Sequence, residues 1–312
     1  MQAISIASDD LAAQIIPFGA SLTDLRLKHL DRPLVLGFRD LDDYARDKQY
    51  MGAVIGRYAN RIARGHVALN GKTLNLECNE NGTAHLHGGT MGFGRQTWTV
   101  EESNDSTVTL AHESPDGEGG YPGNFRATAE YKVTDATLRL TLSAVSDRDT
   151  IVNLCHHPYF NLDGHQDISR HQVWIAANTY LPTDDALMPL GHQADVTGSP
   201  YDFLSETTLP DCQFNNTYCL HQHQSGPLRE VARLIAGGVC MHLATTQPGL
   251  HLYNGYKIKP SFLGLHGATY AARAGICLEA QAWPDSPHVY GAPEVDLKAG
   301  QLYRQVTEYR FA

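Results

Sequence analysis

"FRATAEYKV" (125–133) and "TLRLTLSAV" (137–145) flank a short turn at Thr134–Asp135–Ala136. In the first, Phe125, Ala127, Ala129, Tyr131 and Val133 alternate with Arg126, Thr128, Glu130 and Lys132. The second repeats the pattern with Leu138, Leu140, Leu142 and Ala144. Successive side chains of an extended strand point to opposite faces, so both segments predict strands with one apolar and one polar face, joined as a hairpin. The same period of two recurs in "TVTLAHE" (107–113), "VWIAAN" (173–178), "VCMHLATT" (239–246) and "QLYRQVTEYRF" (301–311). Only "RDLDDYARD" (39–47) suggests a short helix. Turn clusters such as "SPDGEGGYPG" (114–123) and "TGSPYD" (197–202) separate the strands, and none is long enough for an interdomain linker. Many strands with few short helices predict an all-β fold, a large β-sandwich forming a single domain over residues 1–312.

Composition narrows the function classes. The chain has 312 residues, 42% of them hydrophobic and 19% charged, enough to bury a sizeable core. A net charge of -10 argues against nucleic acid or an anionic membrane as partner, because both demand clustered Lys and Arg. No apolar run approaches the roughly 18 residues of a membrane span. "MQAISIASDDLAAQ" at the start lacks the basic and long apolar regions of a signal peptide. The six cysteines form no CxxC pair and sit mostly in apolar, strand-like segments. They read as reduced, buried residues of a cytoplasmic protein rather than a zinc ribbon.

Chemistry concentrates in a few stretches. "NLCHHPYFNL" (153–162) places two histidines before a proline that pushes His157 toward extended conformations. Alternation then puts Asn153, Cys155, His157 and Tyr159 on one face, and Leu154, His156, Pro158 and Phe160 on the other. "ICLEAQAWPDSPH" (276–288) sets Glu279 on the face opposite Ile276, Leu278, Ala280 and Ala282. A buried carboxylate there would have its pKa raised toward that of a useful base, unless it serves as an ion-pair partner for an arginine. "NGTAHLHGG" (81–89) places His85 and His87 two apart, so on one strand face, where the pair fits metal ligation as well as polar contact. "GRYANRIARG" (56–65) contributes Arg57, Arg61 and Arg64, and "TTQPG" (245–249) ends a strand in a turn.

Together these motifs resemble the aldose 1-epimerase (galactose mutarotase) family. The resemblance rests on "GRYANRI" (56–62), "HLHGGTMGFGRQTW" (85–98), "SPDGEGGYPG" (114–123), "NLCHHPYFNL" (153–162), "YLPTDDALMPLG" (180–191), "GSPYDF" (198–203), "TTQPG" (245–249) and "CLEAQAWPDSPH" (277–288), in the family's order. It implies the galactose mutarotase-like supersandwich and interconversion of the α and β anomers of a free aldose by acid–base ring opening and reclosure. It implies His157 as general acid and Glu279 as general base. Arg61, with Asn60 beside it, then contacts sugar hydroxyls, His87 holds the anomeric end, and Gln247 is a further substrate contact. A monosaccharide is the implied partner, with no metal or organic cofactor, in a monomer or homodimer. Two positions depart from the family pattern: His156 stands where Asn is common, and Asn215 in "QFNNTYCL" (213–220) stands where the family places a substrate-binding Asp. An amide cannot clamp hydroxyl protons with a full negative charge, so the departure bears on substrate identity. The rival readings are a metal-dependent HxH sugar isomerase built on His85 and His87, and a non-catalytic sugar-binding module on the same fold. A nearer variant, acting on phosphorylated sugars, would need further cations such as Arg57, Arg64 or Arg95 at the pocket.

Overall fold

The computed structural model describes residues 1–221, 223 and 225–312. Its central hairpin consists of Phe125–Thr134 and Thr137–Ser146, with Thr134 paired to Thr137. The pairing leaves a two-residue turn in which Asp135 takes a left-handed backbone, φ 49°. Two-residue hairpin turns need such conformations to match strand twist, and Asp tolerates them.

The hairpin sits within a nine-stranded antiparallel sheet. Its order is Thr207–Thr208, Gln172–Ile175, Arg229–Ala236, Val239–Thr245, Tyr303–Phe311, Thr137–Ser146, Phe125–Thr134, Thr107–Ser114, Thr99–Ser103. The predicted apolar faces are its inner face. Phe125, Ala127, Ala129, Tyr131 and Val133 are buried in one cluster with Leu11, Ile15, Leu22 and Leu25 of a three-stranded sheet (Ile4–Ala7, Leu11–Ile16, Ser21–Leu27). Leu250, Leu252, Leu278 and Ala280 join the same cluster from a five-stranded sheet. The molecule is thus all-β, with sheets facing one another across a shared core. A fully buried Leu or Ile contributes roughly 1.5–3 kcal/mol, so this cluster holds the layers together.

The five-stranded sheet runs Ala194–Asp195, Thr179–Leu181, Asn215–Cys219, Gly249–Tyr253, Cys277–Gln281. Its last two strands are buried at every position, because both faces are covered. Leu250, Leu252, Leu278 and Ala280 turn to the core, while Asn215, His251, Tyr253 and Glu279 line a pocket on the opposite face.

Three expectations change in detail. The helix expected over 39–47 is a single turn, Asp43–Arg46. Asp47 turns extended and its carboxylate accepts the Gln49 and Met51 backbone N–H groups, which ends the turn. The 153–162 stretch is extended, but only Cys155–His156 forms a strand, paired with Val54–Ile55. Its remaining N–H groups go to several segments: Asn153 to Arg57 O, His157 to Ala53 O, Phe160 to Ile276 O and Asn161 to Leu34 O. The cysteines are not uniformly buried, since Cys212 is exposed and Cys78 and Cys240 are half-buried. Among the described residues no helix is long and apolar enough to cross a membrane.

Candidate functional site

The chain around Pro158 sends the two histidines opposite ways. His156 enters the core, its Nδ1 3.2 Å from the Tyr309 hydroxyl and its ring against Tyr131. Burial, reinforced by nearby His157, pushes its pKa down to about 3, so the ring is neutral. His157 faces a pocket of about 230 Å³ and packs beside Tyr159. That volume lies below the roughly 300–1,000 Å³ of drug-sized sites and suits one small polar molecule.

Glu279 is 2% exposed, and its Oε1 lies 3.5 Å from His157 Nε2. Burial raises its pKa, against the opposing pull of His157, the Cys155 thiol and Arg61. The Cys155 thiol donates to Oε2 at 3.5 Å. The ion-pair alternative for Glu279 does not hold, because Arg61 is engaged elsewhere. Arg61 Nε and Nη2 bind the two oxygens of Glu80 at 2.7 and 2.8 Å, a bidentate pair that fixes the guanidinium at the pocket wall.

Cys277, two residues before Glu279 on the same strand face, has its Sγ 3.5 Å from His157 Nδ1. Burial, with Glu279 next, keeps its thiol protonated well above the usual range. In its acid form the His157 ring carries a proton on each nitrogen, Nδ1–H toward Cys277 Sγ and Nε2–H toward Glu279.

His87 stands in the pocket with its ring 5.6 Å from that of His157. Its Nδ1 accepts the Asn60 backbone N–H at 3.1 Å. Burial, then His157, holds its pKa well below the usual value, so the neutral ring carries its proton on Nε2 and offers a donor. Asn60 also lines the pocket, and its Oδ1 accepts the Arg61 N–H.

The expectation that His85 and His87 share a face is overturned. The strand Ala84–Leu86 ends before His87, which takes a left-handed backbone, φ 53°, so strand alternation stops there. A following close approach demands glycine: a Cβ on Gly88 would stand 1.8 Å from Gly56 O. His85 is committed on both nitrogens, Nδ1 at 2.7 Å from Glu77 O and Nε2 at 2.5 Å from the Tyr121 hydroxyl. It has no nitrogen free for a metal shared with His87.

Other residues fall as follows. Asn215 lines the pocket, with its Oδ1 3.0 Å from His251 Nε2. Gln247 is not among the lining residues; it is 1% exposed and its Nε2 has no hydrogen-bond partner among the described residues. Arg57 is structural: its guanidinium binds the carbonyls of Ser114, Pro115, Pro122 and Gly123 and lies over Phe125, pinning the 114–123 loop. Arg95 binds the Asp47 carbonyl and lies over Tyr50. The lining cations are Arg61, Lys48 and Lys257.

His251 is the main residue that sequence reasoning passes over. Its pKa is pushed down to about 3 by burial, then Arg61 and His157, and its Nδ1 lies 2.8 Å from the Thr217 hydroxyl. The signal for it lies in "GLHLY" (249–253), where alternation sets His251 opposite core-facing Leu250 and Leu252 and pairs it with Glu279.

The whole chain has relatives of known kind. The aldose 1-epimerase family model matches residues 2–310. Galactose mutarotase from Mus musculus is 36% identical over 326 aligned positions, covering 100% of this chain and 94% of that protein. Aldose 1-epimerase from Escherichia coli (strain K12) is 33% identical, covering 96% and 92%. Among solved structures, a GalM/aldose epimerase homologue from C. elegans superposes with a TM-score of 0.93 at 27% identity, covering 100% and 98% of the two chains.

Proposed function

The chain belongs to the aldose 1-epimerase family, and on that premise we propose that Glu279 and His157 interconvert the anomers of a free aldose in this pocket. The observation that carries the reading is a buried carboxylate and an imidazole N–H 3.5 Å apart, facing one small polar pocket. Ring opening must move two protons on two oxygens attached to the same carbon, so its acid and base have to be neighbours. Glu279 takes the proton of the anomeric hydroxyl. In its imidazolium form His157 gives the Nε2 proton to the ring oxygen as the bond from that oxygen to C1 breaks, leaving a neutral imidazole and an open-chain aldehyde. After rotation about C1–C2, the new hydroxyl closes on either face of the carbonyl. His157 recovers its proton from that hydroxyl, and Glu279 returns its own to the carbonyl oxygen. Both groups end as they began.

The surrounding groups orient the sugar. Arg61, fixed by Glu80, and the His87 Nε2–H are donors held in place before substrate arrives, which lowers the entropic cost of alignment. An HxH metal isomerase is not favoured, because His85 is bound on both nitrogens away from the pocket. A sugar-binding module has no need of a carboxylate kept dry beside an imidazole. The test is polarimetry on freshly dissolved single anomers of hexoses and pentoses. Faster approach to the same equilibrium rotation is expected, and an unchanged rate across the panel overturns the reading.

Asn215 bears on which aldose is preferred. Neutral His251 accepts the Thr217 hydroxyl proton on Nδ1 and donates from Nε2 to Asn215 Oδ1, which leaves the Asn215 amide as a donor. Asn215→Asp replaces that donor with an acceptor. Hydrogen bonds to charged groups contribute about 1.5–3 kcal/mol against roughly 1 for neutral pairs, so relative kcat/KM for galactose or glucose is expected to rise around tenfold, mainly through KM. An unchanged order of preference across the sugar panel would place Asn215 outside substrate contact.

His156→Asn is expected to keep kcat/KM within a few-fold of the parent, because His156 lies on the core side. Thermal unfolding should show a loss of roughly 1–3 kcal/mol from the vacated ring space. A large loss of turnover with unchanged stability would reverse the assignment of the two histidines.

A further inference from the structure

We propose that His157, Cys277 and Glu279 form a binding site for a thiophilic divalent cation, Zn²⁺ above all, and that occupation of it switches the acid–base pair off. One potential ligand atom from each residue lies within 4.8 Å of the others, and all three residues are buried. Cys277 and Glu279 come from one face of a single strand, two residues apart, which brings sulfur and carboxylate toward the same point. His157 closes the triangle from the neighbouring segment, and a second thiol, Cys155, stands 3.5 Å from Glu279 Oε2. Ligand atoms in a tetrahedral zinc site, with bonds of about 2.0–2.3 Å, stand about 3.3–3.7 Å apart. Cys277 Sγ stands 3.5 Å from His157 Nδ1 and Glu279 Oε1 stands 3.5 Å from Nε2, so the ring must turn to offer one nitrogen to both, within the 4.8 Å that already spans one atom of each residue.

The donor chemistry selects the ion. One thiolate, one imidazole and one carboxylate suit Zn²⁺, Cd²⁺ or Co²⁺, whereas Mg²⁺ and Ca²⁺ require oxygen ligands that this set does not supply. Binding exchanges the Cys277 S–H bond for a metal–sulfur bond and releases that proton to solvent. The lone pairs that Glu279 and His157 need for proton transfer become metal bonds. His157 and Glu279 both line the sugar pocket, so sugar and metal exclude one another.

A competing thiol site lies on the outer face of the nine-stranded sheet. There Cys240 Sγ stands 3.4 Å from His242 Nε2, and Glu230 Oε2 stands 3.1 Å from His242 Nδ1. Among the described residues, single ligand atoms from three such side chains lie within 4.8 Å of one another only at His157, Cys277 and Glu279.

The purified full chain, freed of metal with chelator, is tested with ZnCl₂ by equilibrium dialysis and with CoCl₂ by absorption. Binding of one Zn²⁺ per chain and a thiolate-to-cobalt charge-transfer band are expected. Cys277→Ser should abolish the band and raise the Zn²⁺ needed for half-saturation more than about tenfold, while Cys240→Ser leaves both unchanged. In the unsubstituted chain, Zn²⁺ should protect Cys277 from iodoacetamide, as mapped by peptide mass spectrometry, and leave exposed Cys212 reactive. Zn²⁺ should slow mutarotation, and Mg²⁺ and Ca²⁺ should not. No bound Zn²⁺, a band that survives Cys277→Ser or vanishes in Cys240→Ser, or an unprotected Cys277 overturns the site. Binding, spectrum and protection are read without turnover, so their failure is separate from failure of the anomer-interconversion reading, which the metal-free enzyme decides by polarimetry.

Discussion

Glu279→Gln is expected to lower kcat by roughly 10²–10⁴-fold with KM little changed. The substitution keeps the size and shape of a side chain that is 2% exposed, so the pocket does not collapse. It removes the only property the reaction needs there, a carboxylate able to take a proton. Glu279 is suited to that task because burial raises its pKa and because Arg61, the nearby cation, has its charge answered by Glu80. A direct ion pair with Arg61 would have made a weaker base. Glu279→Asp sharpens the test, since it retains the charge but withdraws it by about one methylene, and a misplacement on the order of 1 Å can cost 10²-fold. Polarimetry on a single anomer gives both rates. A Gln variant within a few-fold of the parent would remove Glu279 from the chemistry.

How much of this is legible in sequence depends on whether strand alternation survives locally. It does in the 125–145 hairpin, and the inner and outer faces follow residue by residue. It does again at 153–160 and 276–283, so the separation of His156 from His157 and the exposure of Glu279 to the pocket face are readable. Alternation fails at His87, where a left-handed residue beside two glycines turns the side chain away from the face of His85. Sequence spacing carries no mark of that backbone change, which the close approach of Gly88 to Gly56 imposes from 32 residues away. The same limit applies to Glu80. Its partnership with Arg61 depends on two short strands, Arg61–Ala63 and Ala84–Leu86, pairing across a loop. His251 is different: its strand pattern is plain, and only the absence of a familiar motif around it hides its place beside Asn215.

His157→Gln should cost as much as the loss of the base, roughly 10²–10⁴-fold in kcat, equivalent to about 3–5.5 kcal/mol of transition-state stabilisation. Among the described residues no other imidazole is placed to supply the proton. His87 is the nearest alternative, but its Nδ1 is taken by the Asn60 N–H and its pKa lies well below the usual value, so its remaining N–H is a hydrogen-bond donor rather than a working acid. His156 is sealed in the core against Tyr309. The smaller His157→Ala leaves room for an external acid, and added imidazole should restore part of the turnover in a saturable manner. If the variant retains most of its activity, proton delivery to the ring oxygen comes from elsewhere. The double variant Glu279→Gln, His157→Gln decides whether the two act together. Acid and base serve one bond-breaking event on one carbon, so once either is gone the concerted path is closed and removing the other should add little. Losses that multiplied would instead mean that Glu279 and His157 work in separate steps, and the 3.5 Å contact between them would then need another explanation.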